Sequence, residues 1–142
     1  MAELSVLLVE DKPSDVRLVI EAFKQTKIQN NLSVVSTGEE ALKFLRKTGK
    51  YKDAPRPDII LLDLKLPGKS GHDVLKSIKE DEKLMTIPVI MLTHSDSPAD
   101  IKKSYKYNAN CYITKPFKMK DFIELVKYIE KFWFNYVKLP GE

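Results

Sequence analysis

The sequence predicts an α/β sandwich: a parallel five-stranded sheet with helices on both faces. Three observations lead there. Five short apolar runs, rich in branched residues, recur along the chain. Three of them are nearly continuous in hydrophobicity, as strands covered on both faces must be. Segments with helical spacing of apolar residues lie between and after them.

The first run is LSVLLVE, Leu4 to Glu10, and a helical pattern follows from Ser14 to Thr26 on Val16, Val19, Ile20 and Phe23. Pro13 suits the first turn of that helix, where its missing N–H costs nothing. The second run is LSVVS, Leu32 to Ser36, followed by Glu39 to Lys47 with Ala41, Leu42 and Leu45 on one face. YKDAPRP, Tyr51 to Pro57, is a polar loop. The third run is DIILLD, Asp58 to Asp63, followed by Ser70 to Glu82 with Val74, Leu75 and Ile78. The fourth is PVIMLT, Pro88 to Thr93; Ser97 then caps a more polar helix, Pro98 to Tyr107. The fifth is NCYIT, Asn110 to Thr114, and a long apolar helix closes the chain over about residues 119–137. Right-handed crossovers between these units give a flavodoxin-like (βα)5 sandwich with strand order 2-1-3-4-5.

Residues 1–142 read as one domain, long enough to bury a core without staples. The lone cysteine, Cys111, cannot form an internal disulfide, which favours the cytoplasm. No signal peptide is legible, and no apolar run approaches the ~18 residues of a membrane helix. The net charge of +4 comes from 24 basic and 20 acidic residues spread along the chain, so direct nucleic-acid binding is not expected. His72 and His94 are too few and too scattered for a zinc site.

In such a sheet, ligands bind beyond the carboxyl ends of the strands. There the sequence places Glu10 and Asp11, then Asp63, Thr93 and Lys115. Asp63 is the informative one, because a fully apolar run ends on a carboxylate and buried charge is costly unless compensated. Crowded carboxylates with only oxygen ligands suit Mg²⁺. Asp63 could then attack a phosphoryl group, with Lys115 and the metal neutralising charge on its oxygens and Thr93 donating a hydrogen bond. Taken singly, Glu10-Asp11 also fits a strand-to-helix turn, Thr93 a strand end, Tyr112 an ordinary aromatic and His94 an exposed loop histidine.

VEDKPSD, LLDLKLPGKSG with Asp63, PVIMLTHS with Thr93 and YITKPF with Tyr112 and Lys115-Pro116 together resemble the receiver domain of two-component response regulators. The likeness covers nearly the whole chain. The closing FWFNYVKLP is similar to the tail of small single-domain regulators that partner phytochrome-type histidine kinases. The resemblance implies that Asp63 takes phosphate from the phosphohistidine of a sensor histidine kinase. It implies Mg²⁺ on Glu10, Asp11, Asp63 and the backbone carbonyl of Lys65. It implies a switch pair, Thr93 and Tyr112, a phosphoryl ligand in Lys115, and a cis Lys115-Pro116 bond. It implies no enzyme activity beyond self-catalysed phosphotransfer and dephosphorylation, and output through helix 4, strand 5 and helix 5 without a fused output domain.

Two departures stand out. Gly68-Lys69-Ser70-Gly71 lacks the acid more often found before the second glycine, and Lys65 replaces a small polar residue. Lys65 and His94 are candidates for restricting the water that hydrolyses phospho-Asp63. In the last helix, Phe122, Val126, Ile129 and Trp133 can face the sheet. Tyr128, Phe132, Phe134 and Tyr136 leave more apolar surface than one face can hide, and exposed aromatic patches mark interfaces. A homodimer, a partner protein or cover within the chain could each use it.

Overall fold

The structure, a computed structural model, describes residues 3–141. Strands β1 (Leu4–Val9), β2 (Asn30–Val35), β3 (Ile59–Leu62), β4 (Val89–Thr93) and β5 (Cys111–Thr114) alternate with helices α1 (Pro13–Lys24), α2 (Gly38–Arg46), α3 (Gly71–Glu80), α4 (Pro98–Lys106) and α5 (Met119–Asn135). All strand pairs are parallel, in the order β2-β1-β3-β4-β5, as the sequence predicts.

The alternation of side chains along each strand divides the core in two. Leu7, Val9, Ile60, Leu62 and Met91 point to one face, where α2 adds Ala41, Leu42, Phe44 and Leu45 and α3 adds Val74, Leu75 and Ile78. Leu4, Val6, Leu8, Ile59, Leu61, Ile90 and Leu92 point to the other, under Val19, Ala22 and Phe23 of α1 and Phe122, Val126 and Ile129 of α5. β3 is buried throughout, which is why IILL shows no alternation.

Helix starts follow capping chemistry. Thr37, Ser70 and Ser97 each accept a hydrogen bond from the backbone N–H three residues on, so orphan donors at α2, α3 and α4 are satisfied. Lys47, at φ 55°, ends α2 in the left-handed region. β2 begins at Asn30, two residues before the apolar run, because Asn30 and Asn31 pair in register with Leu4 and Ser5. It is an edge strand, so polar side chains are tolerated there. The polar loop before β3 opens with a short 3-10 turn, Gly49–Tyr51, which apolar periodicity does not reveal.

Glu130 lies on the inner face of α5, fully buried, and neither carboxyl oxygen has a well-aligned hydrogen-bond partner. Burial raises its pKa above the ordinary 4.5, and the side chains of Thr26 and Asn30 offset part of that. A raised folded-state pKa gives stability that is complete below the unfolded value and is lost as pH rises through the folded one. Glu130→Gln is therefore expected to be more stable than the parent at about pH 8 and to lose that advantage toward pH 5. Urea unfolding at the two pH values checks this; a parallel offset at both would mean the carboxyl is not held neutral.

Candidate functional site

The parallel register brings the carboxyl ends of four strands to one rim. Glu10 and Asp11 follow β1, Asp63 follows β3, Thr93 ends β4, and Lys115 lies one residue past β5. Glu10, Asp63, Thr93 and Lys115 are buried, whereas Asp11 faces solvent.

The Lys115 ammonium organises the site. It is 2% exposed, and its three donors go to Glu10 Oε1, Asp15 Oδ2 (2.9 Å) and Asp63 Oδ2 (3.3 Å). Burial works against its charge, but Asp63, Glu10 and Asp15 more than offset that and raise its pKa. Glu10 is pushed up to about 7 by burial, against the hydrogen bond and charge of Lys115 and with Asp63 repelling beside it. The remaining carboxylate oxygens are partly held by backbone: Lys12 N–H donates to Glu10 Oε2 (3.2 Å) and Leu64 N–H to Asp63 Oδ1 (2.7 Å).

Glu10, Asp11 and Asp63 each offer a carboxylate oxygen, all within 4.8 Å of one another. Three hard oxygen donors with one side open to solvent fit a divalent cation that keeps part of its water shell. Lys65, whose backbone carbonyl the receiver-domain resemblance adds to this set, has its side chain in solvent.

Thr93 and Tyr112 meet through Ser95. Ser95 N–H approaches Thr93 Oγ1 at 3.5 Å, and the Tyr112 hydroxyl donates to the Ser95 carbonyl at 2.8 Å. Ser95 Oγ donates to Asp100 Oδ2 (2.6 Å) in the first turn of α4. The two residues predicted to switch are thus joined to α4 by one hydrogen-bonded loop.

Three expectations change. The Lys115-Pro116 bond is trans, as are all described peptide bonds. The trans preference before proline is only about 0.5–1 kcal/mol. With the trans bond, Lys115 N–H already reaches Thr93 O at 2.6 Å and its ammonium reaches the acids. His94 is not a solvent-exposed loop residue: Nε2 lies 3.2 Å from Asp15 Oδ2, and the ring stacks on Phe117 with centroids 4.6 Å apart. Phe134 does not join the exposed aromatics. It is half-buried against the α1 side of the core, four residues after Glu130 on the same stripe. Tyr128, Phe132 and Tyr136, spaced by four, form the exposed stripe instead. His72 is also internal, with Nε2 3.0 Å from Ser104 Oγ between α3 and α4.

Asp15 is a further site residue that the sequence does not single out. Its only local signal is the acid four residues after Asp11, in the first turn of α1, where a carboxylate is favourable anyway. Its contact with Lys115 spans 100 residues.

Clustered carboxylates and a buried lysine at the carboxyl rim of a doubly wound sheet are the features of a receiver domain. The chain belongs to the response regulator receiver domain family, which matches residues 6–127. It is 44% identical over 136 residues to response regulator Rcp1 of Synechocystis sp., covering 96% of this chain and 92% of that protein. The crystal structure of the phosphorylated cyanobacterial phytochrome response regulator RcpA superposes with a TM-score of 0.96 at 43% identity, covering 99% of this chain and 100% of that one. The Mn²⁺-bound form of Rcp1 gives 0.92 at 43% identity, covering 97% and 99%. Among the described residues no helix is long and apolar enough to cross a membrane.

Proposed function

We propose that Asp63 is the phosphoacceptor of a cytoplasmic two-component switch, charged by a sensor histidine kinase of the phytochrome type. The observation that carries this reading is the shared ammonium: Lys115 binds Asp63 and two further acids at the mouth of the sheet. Such an ammonium is poised to neutralise phosphoryl oxygens. The phytochrome link rests on RcpA, which is described as a phytochrome response regulator.

An Asp63 carboxylate oxygen attacks phosphorus. The bond from phosphorus to the donor imidazole nitrogen breaks, and its electron pair returns to that nitrogen. Glu10, Asp11, Asp63 and the Lys65 carbonyl would hold Mg²⁺, which would supply positive charge to the transferring phosphoryl group. Lys115 supplies the second positive contact, and Thr93 donates its hydroxyl to a phosphoryl oxygen. The product carries about −1.5 to −2 charge at the phosphoryl group. Movement of Thr93 pulls on Ser95, to which Tyr112 and Asp100 are bonded, so α4 and β5 respond. Return to the resting state is by hydrolysis within the same site.

Phosphoramidate, a small donor with a P–N bond, tests the transfer without a kinase. One phosphoryl group is expected with Mg²⁺ and essentially none with chelator; equal labelling in both would contradict a metal-dependent site.

The exposed Tyr128, Phe132 and Tyr136 stripe on α5 is proposed as a homodimer surface. Its rings lie side by side along one face of the helix, with Phe132 and Tyr136 centroids 6.3 Å apart. Light scattering should show a dimer that Phe132→Glu disperses, and a monomer before and after phosphorylation would rule this out.

A further inference from the structure

Asp15 is 5% exposed and has no place in the Glu10, Asp11 and Asp63 cluster. In the resting site its compensation comes from Lys115 at 2.9 Å. All three donors of that ammonium are already in use, so contact with a phosphoryl group on Asp63 requires at least one carboxylate to be released. Glu10 would keep a divalent cation, and Asp63 would carry the phosphoryl group itself. Asp15 has neither, so any movement of the ammonium away from it toward the phosphoryl group leaves an unpaired buried charge, which is strongly destabilising.

One other group reaches it. His94 Nε2 lies 3.2 Å from the same Oδ2 that Lys115 holds. Nε2 is thus the ring nitrogen that faces Asp15, while Nδ1 is enclosed with no partner. The ring is fixed by parallel stacking on Phe117, 10° from coplanar, although Phe117 is itself 86% exposed. An exposed phenylalanine that orients a histidine at the rim has no role in the core.

We propose that His94 is a positioning residue for phosphoryl transfer: it holds Asp15 when Lys115 turns from that carboxylate to the phosphoryl group on Asp63. The inference rests on the reading of Asp63 as phosphoacceptor and Lys115 as phosphoryl ligand. His94 touches neither donor nor phosphoryl group. It acts through Asp15, lowering the cost of releasing Lys115. A neutral donor suffices for this, so glutamine should serve in part where leucine cannot.

The test is the affinity of the full chain for beryllofluoride with saturating Mg²⁺, read by calorimetry, beside the rate of phosphorylation from phosphoramidate. His94→Leu is expected to weaken beryllofluoride binding and slow phosphorylation by about tenfold, the usual scale of coupling between contacting groups. His94→Gln should recover most of that loss. Once Asp15→Asn removes the charge to be held, adding His94→Leu should cost less than about twofold. An equal loss from His94→Leu with or without the Asp15 carboxylate would overturn the proposal, as would glutamine as poor as leucine. So would a leucine variant that binds as the parent does. If the parent chain itself takes neither beryllofluoride nor phosphoryl, the phosphoacceptor reading fails and the proposal falls with it.

Discussion

Replacing Lys115 with methionine is expected to destabilise the metal-free protein by about 3 kcal/mol or more at neutral pH. Methionine reproduces the unbranched stem as far as Cε and lacks only the terminal amine, so the loss chiefly reports the ammonium. Without it, Glu10, Asp15 and Asp63 share a buried rim with no strong cation. Removing one partner of a buried charge cluster costs far more than the cluster contributes when intact, because the remaining charges stay desolvated. The sign with pH follows. In the variant Glu10 loses the hydrogen bond and charge that hold its pKa down, so its carboxyl rises further and its neutral form favours folding; the deficit should shrink as pH falls and grow as pH rises. Mg²⁺ should return much of the loss, since a ligand that binds only the folded state stabilises it by mass action. Urea unfolding with chelator and with Mg²⁺ checks both points. A variant within about 1 kcal/mol of the parent in chelator would mean that Lys115 is not what holds the acids together.

Gly71→Ala is expected to cost about 3 kcal/mol and to weaken divalent binding at the same time. A Cβ at Gly71 would stand 2.1 Å from the Asp63 carbonyl oxygen and 2.6 Å from Leu64 Cα. Both are backbone atoms and cannot swing aside like a flexible side chain. The reason for the close approach is visible: Gly71 N–H donates to Leu64 O at 2.8 Å, pinning the start of α3 onto the end of β3. Alanine must therefore displace the Asp63-Leu64 segment, and with it the Asp63 carboxylate that stands beside Glu10 and Asp11. Thermal melting and a Mg²⁺ titration on the same sample test this. An alanine variant with parental melting and Mg²⁺ affinity would show that the loop relaxes freely. Gly71 is the second glycine of GKSG, so the missing acid in that motif leaves the turn's decisive contact in place.

The contrast between β3 and the lysine network shows what could be read from the sequence. IILL followed by Asp63 announces a buried strand ending on a charge, and the pattern carries both fold and site. Strand order and the rim's acids follow from the same logic, since each βα unit delivers its carboxyl end to one side. Contacts made between distant segments are not written that way. Asp15 looks like an ordinary first-turn acid, and only the successive registers of β1 with β3, β3 with β4 and β4 with β5 bring Lys115 to it. His94 follows Thr93 in a loop, and its direction is set by Phe117, 23 positions further along the numbering. Phe134 was legible in principle: four residues after the buried Glu130, helical geometry turns it inward, whereas an unbroken aromatic run hides that phase.

The proposed switch turns on one carboxylate, Asp63. Intact mass after incubation with phosphoramidate and Mg²⁺, compared between the parent chain and Asp63→Asn, tests it most directly. The expected result is one added phosphoryl group on the parent and none on the variant, with both still folded. The same gain on the variant would place the acceptor elsewhere and contradict the account.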